Sequence, residues 1–576
     1  MRLQHFIYST LFTCGLAATL TGCYDYTEMA EEAKANEAPV VLDLTIGADV
    51  HASRSASDRQ TRALPMGGEN GDGREFGAAF ENAVTNISLY VYQNPAGITA
   101  PGTTTVKRLA YIADVDAVAG VTTSTVGEKI VKHIPLQRSM LDGYTYTEGD
   151  QFIVVANMGD VTPPATLGDL RNMSVTNAWT GAVGAPKSTY SAFVMSNEDN
   201  SNYTERSGTD LDPHVISVDI ERVAARLDFC SNGCDTNGYL GTTADVTAGK
   251  CDAVSPLKDE EPCIQYTARD GSDVGKVYVT HVRPFNVMQQ PTYLIKRSAL
   301  TSSDTPVYLK DEVAYNATGF AYVVEPSTWF KALKTDPHYD PVAWYDKTRY
   351  SLVDPAYASD AAYRVHVNKA ATADGFNGEK GYSHVNKTED VNNGFTDFYV
   401  IDYANENTMP ATATTSEVAT GIVVRAIYSP KNVYEDTDLI VTAAYTPGDI
   451  DIYRYRPMVT SFSESKCVYF SDYSVAKAYG EKFPAVPFVV EKFEKGVCYY
   501  LTYLRHDSGD DYTPFNPAIT PMEYGIVRNN IYRLKCSFTG PGWNTIPTTP
   551  SLEPLGIKPY IYVRRWYQIT HPEIEI

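Results

Sequence analysis

Basic residues are scarce in this 576-residue chain. Lys and Arg total 48 against 70 Asp and Glu, a net charge of −22. A surface this negative repels phosphate backbones and anionic lipid faces, and no local basic patch offsets it, so a nucleic-acid binder is excluded. Long apolar runs are missing beyond residue 20, which leaves no later candidate for a membrane-spanning helix. Catalytic signatures are missing as well: there is no Gly-x-Ser-x-Gly, no His-Glu-x-x-His and no phosphate loop. The polar run 506–511, from His506 to Asp511, reads as Asp/Gly turn chemistry. Acidic stretches at 198–199 and 390–397 lack the spacing of a calcium loop. No enzymatic activity, cofactor or metal site is expected. Helical periodicity is rare, confined to 167–176 and 327–334.

Apolar residues make up 43% of the chain and charged residues only 20%, a composition that builds folded cores. A single core stops growing near ~250–300 residues, so two folded domains with extensions are expected. Tyrosine is abundant, with 42 copies, and the Tyr-, Thr- and Val-rich segments favour strands. Alternating or continuously apolar runs occur at 84–92, 150–157, 191–196, 215–229, 318–324, 397–403, 419–428, 439–445, 496–504 and 526–537, with a strand pair at 277–287. Turn residues separate them, as at Asn157-Met158-Gly159-Asp160. This spacing points to an all-β chain of sandwich or barrel domains.

The N-terminus has a separate character. Arg2 precedes an apolar run over 6–20, which closes on Leu20-Thr21-Gly22-Cys23. The run is too short for a permanent span and reads as a signal peptide over 1–22. Small residues before a cysteine fit a bacterial lipobox with Cys23 as the lipidated residue; the alternative is an ordinary signal peptide with an incidental cysteine. Beyond a polar acidic spacer, Val40, Leu42, Leu44 and Ile46 alternate in one short strand. A loop with Arg54, Arg59 and Arg62 follows, then the Gly-rich stretch 66–73.

Four cysteines, Cys230, Cys234, Cys251 and Cys263, crowd a Gly-, Asp- and Thr-rich stretch. Their intervals of three, sixteen and eleven residues match no compact zinc knuckle, and an exported context favours oxidation. Local disulfides of undetermined pairing are expected. Cys467, Cys498 and Cys536 lie in strand-like runs and are expected to be buried and unreactive.

At the other end, 540–556 carries four prolines in seventeen residues and reads as an extended spacer with a reach of roughly 50 Å. Alternation returns over 557–576, where Ile561 and Val563 share one face and Tyr560, Tyr562 and Trp566 the other; Ile569, Ile574 and Ile576 follow. So apolar a strand on a tether pairs either with its own sheet or with the edge of another molecule's sheet.

In this order the segments resemble the fimbrillin family of Bacteroidales, the subunits of type V pili. The carrying residues are the lipobox 20–23, Arg62-Ala63, the runs 152–159 and 193–196, the Arg-containing segment 220–227, and above all 524–534 (YGIVRNNIYRL). The tail 560–576, with Trp566, is similar to that of the minor-fimbria shaft subunit. The insert 230–263 departs from the pattern. The resemblance implies two tandem transthyretin-like β-sandwich domains, 63–229 and 230–539, behind a propeptide 23–62 and before a spacer and donor strand 540–576. It implies a fimbrial structural subunit, exported as an outer-membrane lipoprotein, supporting adhesion and biofilm formation. An Arg-specific protease would cut between Arg62 and Ala63, with Arg59 and Arg54 as alternatives, removing the strand of Val40, Leu42, Leu44 and Ile46. The donor strand of a neighbour, carrying Ile561, Val563, Trp566, Ile569, Ile574 and Ile576, would fill the vacancy. Implied partners are identical subunits in a head-to-tail filament, anchor and tip subunits, and host or bacterial surface receptors. The competing reading is a lipid-anchored glycan-binding protein that uses tyrosines as stacking platforms.

Overall fold

The computed structural model describes residues 40–46, 80–93, 102–126, 129–136, 144, 149–175, 177–180, 191–197, 203–206, 214–230, 264–285, 292–295, 297–300, 306–308, 321–323, 398–406, 420–504, 525–545 and 555–565. The all-β expectation is borne out. The first part comprises β1 (Val40–Ile46), β2 (Ile87–Gln93), β3 (Lys107–Ile112), β4 (Thr122–Val126), β5 (Lys129–Leu136), β6 (Asp150–Ala156), the short helix α1 (Leu167–Asn172), β7 (Ser174–Val175), β8 (Met195–Ser196), β9 (Tyr203–Arg206) and β10 (His214–Arg222). One sheet runs β3-β2-β6-β8-β10-β1-β5-β4, with β9 also on β10. The continuously apolar β6 lies in its interior, with Phe152, Ile153, Val154 and Ala156 fully buried. Asn157 (φ 62°) and Gly159 (φ 74°) make the expected turn after it. The Asn157 carboxamide fastens that turn by accepting from Thr85 N–H and donating to the carbonyls of Ala83 and Phe193.

The second part comprises β11 (Ala224–Cys230), β12 (Ile264–Asp270), β13 (Ser272–Phe285), β14 (Thr292–Tyr293), β15 (Arg297–Leu300), β16 (Pro306–Tyr308), β17 (Ala321–Val323), β18 (Phe398–Asn405), β19 (Gly421–Pro430), β20 (Ile452–Pro457), β21 (Val468–Phe470), the helix α2 (Tyr473–Glu481), β22 (Phe488–Phe493), β23 (Val497–Tyr503), β24 (Asn530–Phe538) and β25 (Ile557–Arg565). Two four-stranded sheets, β18-β11-β24-β25 and β12-β13-β19-β23, share one core. Leu227, Leu534 and Phe538 come from the first; Tyr266, Val279, Val424 and Tyr500 from the second. Phe538 meets the rings of Tyr266 and Tyr500 edge-on across the gap, at 4.9 and 4.8 Å between centroids. A small module, β21-β20-β22 with α2, packs its own cluster around Phe470 and Tyr455.

Several expectations are corrected. The run 215–229 is not one strand. It breaks at Val223, whose N–H donates to the Val194 carbonyl, so β10 stays in the first sheet and β11 crosses into the second, before the expected boundary at 229. The run 277–287 is not a strand pair but most of the single strand β13. The run 439–445 is not a strand, because the Asp436 carboxylate takes the N–H groups of Asp438, Ile440 and Val441 that a ladder would need. The helix expected over 167–176 stops at Asn172, and Ser174–Val175 turns into β7. The helix α2 was not foreseen; the Asp472 carboxylate caps it by accepting from the N–H groups of Ser474 and Val475. The helical reading at 327–334 lies outside the described residues.

The largest correction concerns the C-terminal spacer. Trp543 and Tyr499 exchange both backbone hydrogen bonds, at 2.7 and 2.8 Å. The Tyr500 hydroxyl donates to the Gly540 carbonyl (2.9 Å), and Thr539 N–H to the Gly556 carbonyl (2.9 Å). Residues 539 and 556 therefore meet, and the described residues 540–545 dock on the body instead of leading away from it. Gly542 allows the close approach, since a Cβ there would collide with the Tyr499 carbonyl.

Candidate functional site

The first candidate is the slot that β1 occupies. It is an interior strand, parallel to β10 and antiparallel to β5. Leu42 sits in register between Ile216 and Ile134, and Leu44 between Val218 and Lys132; Ile46 pairs with Ile220 and Val40 with Leu136. On these flanking strands Ile134, Leu136, Ile216, Val218 and Ile220 are buried, while His133, Pro135, Ser217 and Asp219 are half-buried. The alternation read in 40–46 thus falls on the register positions that face the core. Every other pairing in this sheet is antiparallel among the described residues. The only described backbone ladder that joins the β4–β5 hairpin to the remaining strands is the one through β1.

The second candidate is the junction between the two parts, where charged side chains are fully buried. Arg222, ending β10, donates to the Glu81 carbonyl (2.9 Å), to Asn529 Oδ1 (3.2 Å) and to Asn82. Arg226, on β11, pairs with Asp228 (3.0 Å) and Glu81 (3.3 Å). The Tyr403 hydroxyl donates to the other Glu81 oxygen at 2.7 Å. Arg533 reaches Asp228 at 3.1 Å, and Arg528 pairs with Glu406 at 2.6 Å while donating to the carbonyls of Tyr293 and Leu294. Isolated charges would not survive such burial; mutual pairing and carbonyl acceptors make it tolerable.

This junction explains the run 524–534. Its Arg528-Asn529 pair is not strand but the turn into β24, which starts at Asn530; Asn529 has φ 53°, a conformation asparagine tolerates. Asn529 N–H donates to the Ala224 carbonyl (2.8 Å), which ties the turn to the start of β11. The Tyr532 hydroxyl accepts from Val527 N–H (2.8 Å) and donates to the Gly525 carbonyl (3.2 Å). Sequence reading missed Glu81, Asn82, Asp228 and Glu406. A single polar side chain carries no periodic signal, and apart from the Arg226–Asp228 pair these partners lie far apart in the chain.

The remaining sequence-predicted residues fall as follows. Cys23, Arg54, Arg59, Arg62 and Ala63 lie outside the described residues, as do Trp566, Ile569, Ile574 and Ile576. Ile561 and Val563 lie on β25, opposite Leu534 and Tyr532 of β24. Of the two pairings left open for 557–576, its first nine residues therefore take their own sheet. Cys230 ends β11, while Cys234, Cys251 and Cys263 lie outside the described residues. Cys498 and Cys536 are buried as expected; Cys467 is only half-buried. Burial pushes the Cys498 thiol up to about 11. Among the described residues no His, Cys, Asp and Glu cluster could hold a metal, and no helix is long and apolar enough to cross a membrane.

Comparison with known proteins bears out the resemblance. Residues 491–571 match the family model described as major fimbrial subunit protein type IV, fimbrillin, C-terminal. The match covers β23, the turn at 528–529, β24 and β25. No curated protein matches the sequence. Similar solved structures include a fimbrilin (fimA) from Porphyromonas gingivalis W83, 13% identical over 92% of this chain and 99% of that one, with a TM-score of 0.35. The tip fimbrial protein Mfa3 from the same species, with a C-terminal truncation, is 10% identical over 92% and 99%, with a TM-score of 0.29. A putative cell adhesion protein from Bacteroides eggerthii is 9% identical over 92% and 98%, with a TM-score of 0.32.

Proposed function

We propose that this chain is a fimbrial structural subunit, exported as a lipoprotein through Cys23, in which β1 is a removable strand. The observation that carries the reading is the place of β1: a short N-terminal strand, far from its neighbours in sequence, completes the interior of a sheet. Cleavage after Arg62 by an Arg-specific protease would leave 576 − 62 = 514 residues. It would also separate β1 from the rest of the chain. Two strand edges and an apolar slot would then be exposed, which a strand from a second copy can fill by β-augmentation. Contacts of this head-to-tail kind do not close, so they build a filament.

In this reading 557–565, ladder-paired to β24, stays with its own subunit, and the donated segment is 566–576, with Trp566, Ile569, Ile574 and Ile576. Four apolar side chains at ~1.5–3 kcal/mol each give roughly 6–12 kcal/mol gross, before ordering costs. Anchor and tip subunits, surface receptors and roles in adhesion and biofilm belong to the same reading.

The test is a truncation after Arg565. Monomers should melt as the full chain does, yet form no SDS-resistant multimers; truncated protein that polymerises normally refutes the proposal. N-terminal sequencing of protein sheared from cells should give Ala63, and a lipidated Cys23 start would refute the processing step.

A further inference from the structure

Two strands flank β1, and their mutual geometry decides what happens to an empty slot. Since β1 runs parallel to β10 and antiparallel to β5, the strands β5 and β10 are antiparallel to each other. Their registers to β1 are complementary as well. Leu42 pairs with both Ile216 and Ile134, Asp43 with both Ser217 and His133, and Leu44 with both Val218 and Lys132. If β5 moved sideways by one strand spacing of ~4.8 Å, it would meet β10 with core-facing residues opposite core-facing residues.

We infer that a subunit which has lost β1 closes its own slot, the β4–β5 hairpin shifting onto β10 to form a direct antiparallel ladder with Ile134 opposite Ile216. The inference rests on the reading of β1 as removable. Nothing in the ladder opposes the move, because β1 supplies the only described backbone ladder between the hairpin and the rest of the sheet. Two unpaired edges facing each other favour it, since each must otherwise stay hydrated or find another chain.

One side chain resists. Lys132, only 8% exposed, donates to Asp116 at 2.6 Å and to the Val84 carbonyl at 3.3 Å. Val84 and Asp116 lie outside the hairpin, on segments leading into β2 and out of β3. A shift of one spacing breaks both contacts. Lys132 is thus a latch that holds the slot open for a donor, and closure is the state that protects a subunit with no donor at hand. The two states compete, so the donor must arrive before or displace the ladder.

The experiment uses the full chain carrying Ser217→Cys and His133→Cys, with a site-specific protease sequence inserted after Arg62. Both positions are half-buried and face away from the core. With β1 between them their Cα atoms stand roughly 10 Å apart, beyond the ~7 Å limit for a disulfide; after closure they are direct cross-strand neighbours. The uncut chain should not cross-link under a mild oxidant. Cut monomers shown by mass to have lost β1 should cross-link, and linked monomers should fail to enter multimers. Lys132→Met should raise the linked fraction. Amide exchange on the cut wild-type monomer supplies a readout free of the cysteines: β5 and β10 should keep their protection. Cut monomers that stay unlinked and exchange rapidly along β5, yet polymerise, overturn closure and leave the donor-strand reading standing. Linked monomers that polymerise at the normal rate overturn the donor-strand reading itself.

Discussion

The two ends of the chain each contribute a strand to a sheet, and the contrast between them is instructive. β1 is an interior strand with two ladders, seven positions on β10 and six on β5. Among the described residues β25 is an edge strand with one ladder, nine positions on β24. Losing β25 trims a sheet, whereas losing β1 cuts one in two. The described hydrophobic cluster of the C-terminal sandwich draws on residues between 225 and 557 and takes no side chain from β1. The N-terminal sheet depends on a segment more than 80 residues before its nearest ladder partner. A strand is exchangeable where it is essential to a sheet but joined to it only through distant sequence.

The comparison can be broken most directly at β1. Leu42→Asp puts a carboxylate in register between the buried Ile216 and Ile134. An unpaired buried carboxylate costs several kcal/mol, so the N-terminal sheet should lose cooperative melting while the C-terminal sandwich keeps its own. A single intact transition in calorimetry would show that β1 is dispensable to the uncut fold. On the C-terminal side, Phe538→Ala empties the contact between the two sheets and should cost about 3–5 kcal/mol. The loss should appear as a lower midpoint of denaturant melting with β1 in place.

The next effect tests the joint between the parts. Glu81→Ala removes one of the two carboxylates paired with Arg226 and the acceptor of the Tyr403 hydroxyl, leaving Arg226 to Asp228, and should cost about 1–3 kcal/mol. The expected sign is one thermal transition splitting into two. Smaller is the loss of the α2 cap. The Ser474 hydroxyl and the N–H groups of Ser474 and Val475 hold the Asp472 carboxyl below its ordinary value of 3.8. Because the folded value is the lower one, the contribution is present above the ordinary carboxylate value and fades as pH falls through the depressed one. Asp472→Ala should therefore speed amide exchange in α2 at neutral pH, with the difference from wild type vanishing in acid. The smallest expected effect is chemical. With its thiol pushed up to about 11 and fully buried, Cys498 should resist alkylation near neutral pH until the protein is denatured.

Much of the fold was legible in short windows. The alternation of Leu42, Leu44 and Ile46, the continuous apolar run of β6, and the Asn157–Gly159 turn each depend on neighbours a few residues away, and each came out in place. The break at Val223 was not legible, because residues on both sides are buried and no local signal marks a change of sheet. Nor was the loop at 436–441 legible, since one carboxylate outbids an otherwise good strand pattern for the amides. The prolines of 540–556 suggested an extended tether, yet Gly542 and Trp543 dock on Tyr499 through a contact that composition does not encode.

What the sequence determined by itself is the class of the chain and the faces of its strands. Period-two alternation fixes which side chains face inward whatever the partner strand, and the excess of acidic residues sets the sign of the net charge wherever they lie. What only the tertiary structure decided is partnership: that β1 lies between β10 and β5, that 557–565 stays with β24, and that Glu81 joins Arg226 to Tyr403. Hydrogen-bond ladders and buried ion pairs are satisfied by any complementary group brought within reach. Which group arrives depends on the path of the whole chain and not on the residues beside it.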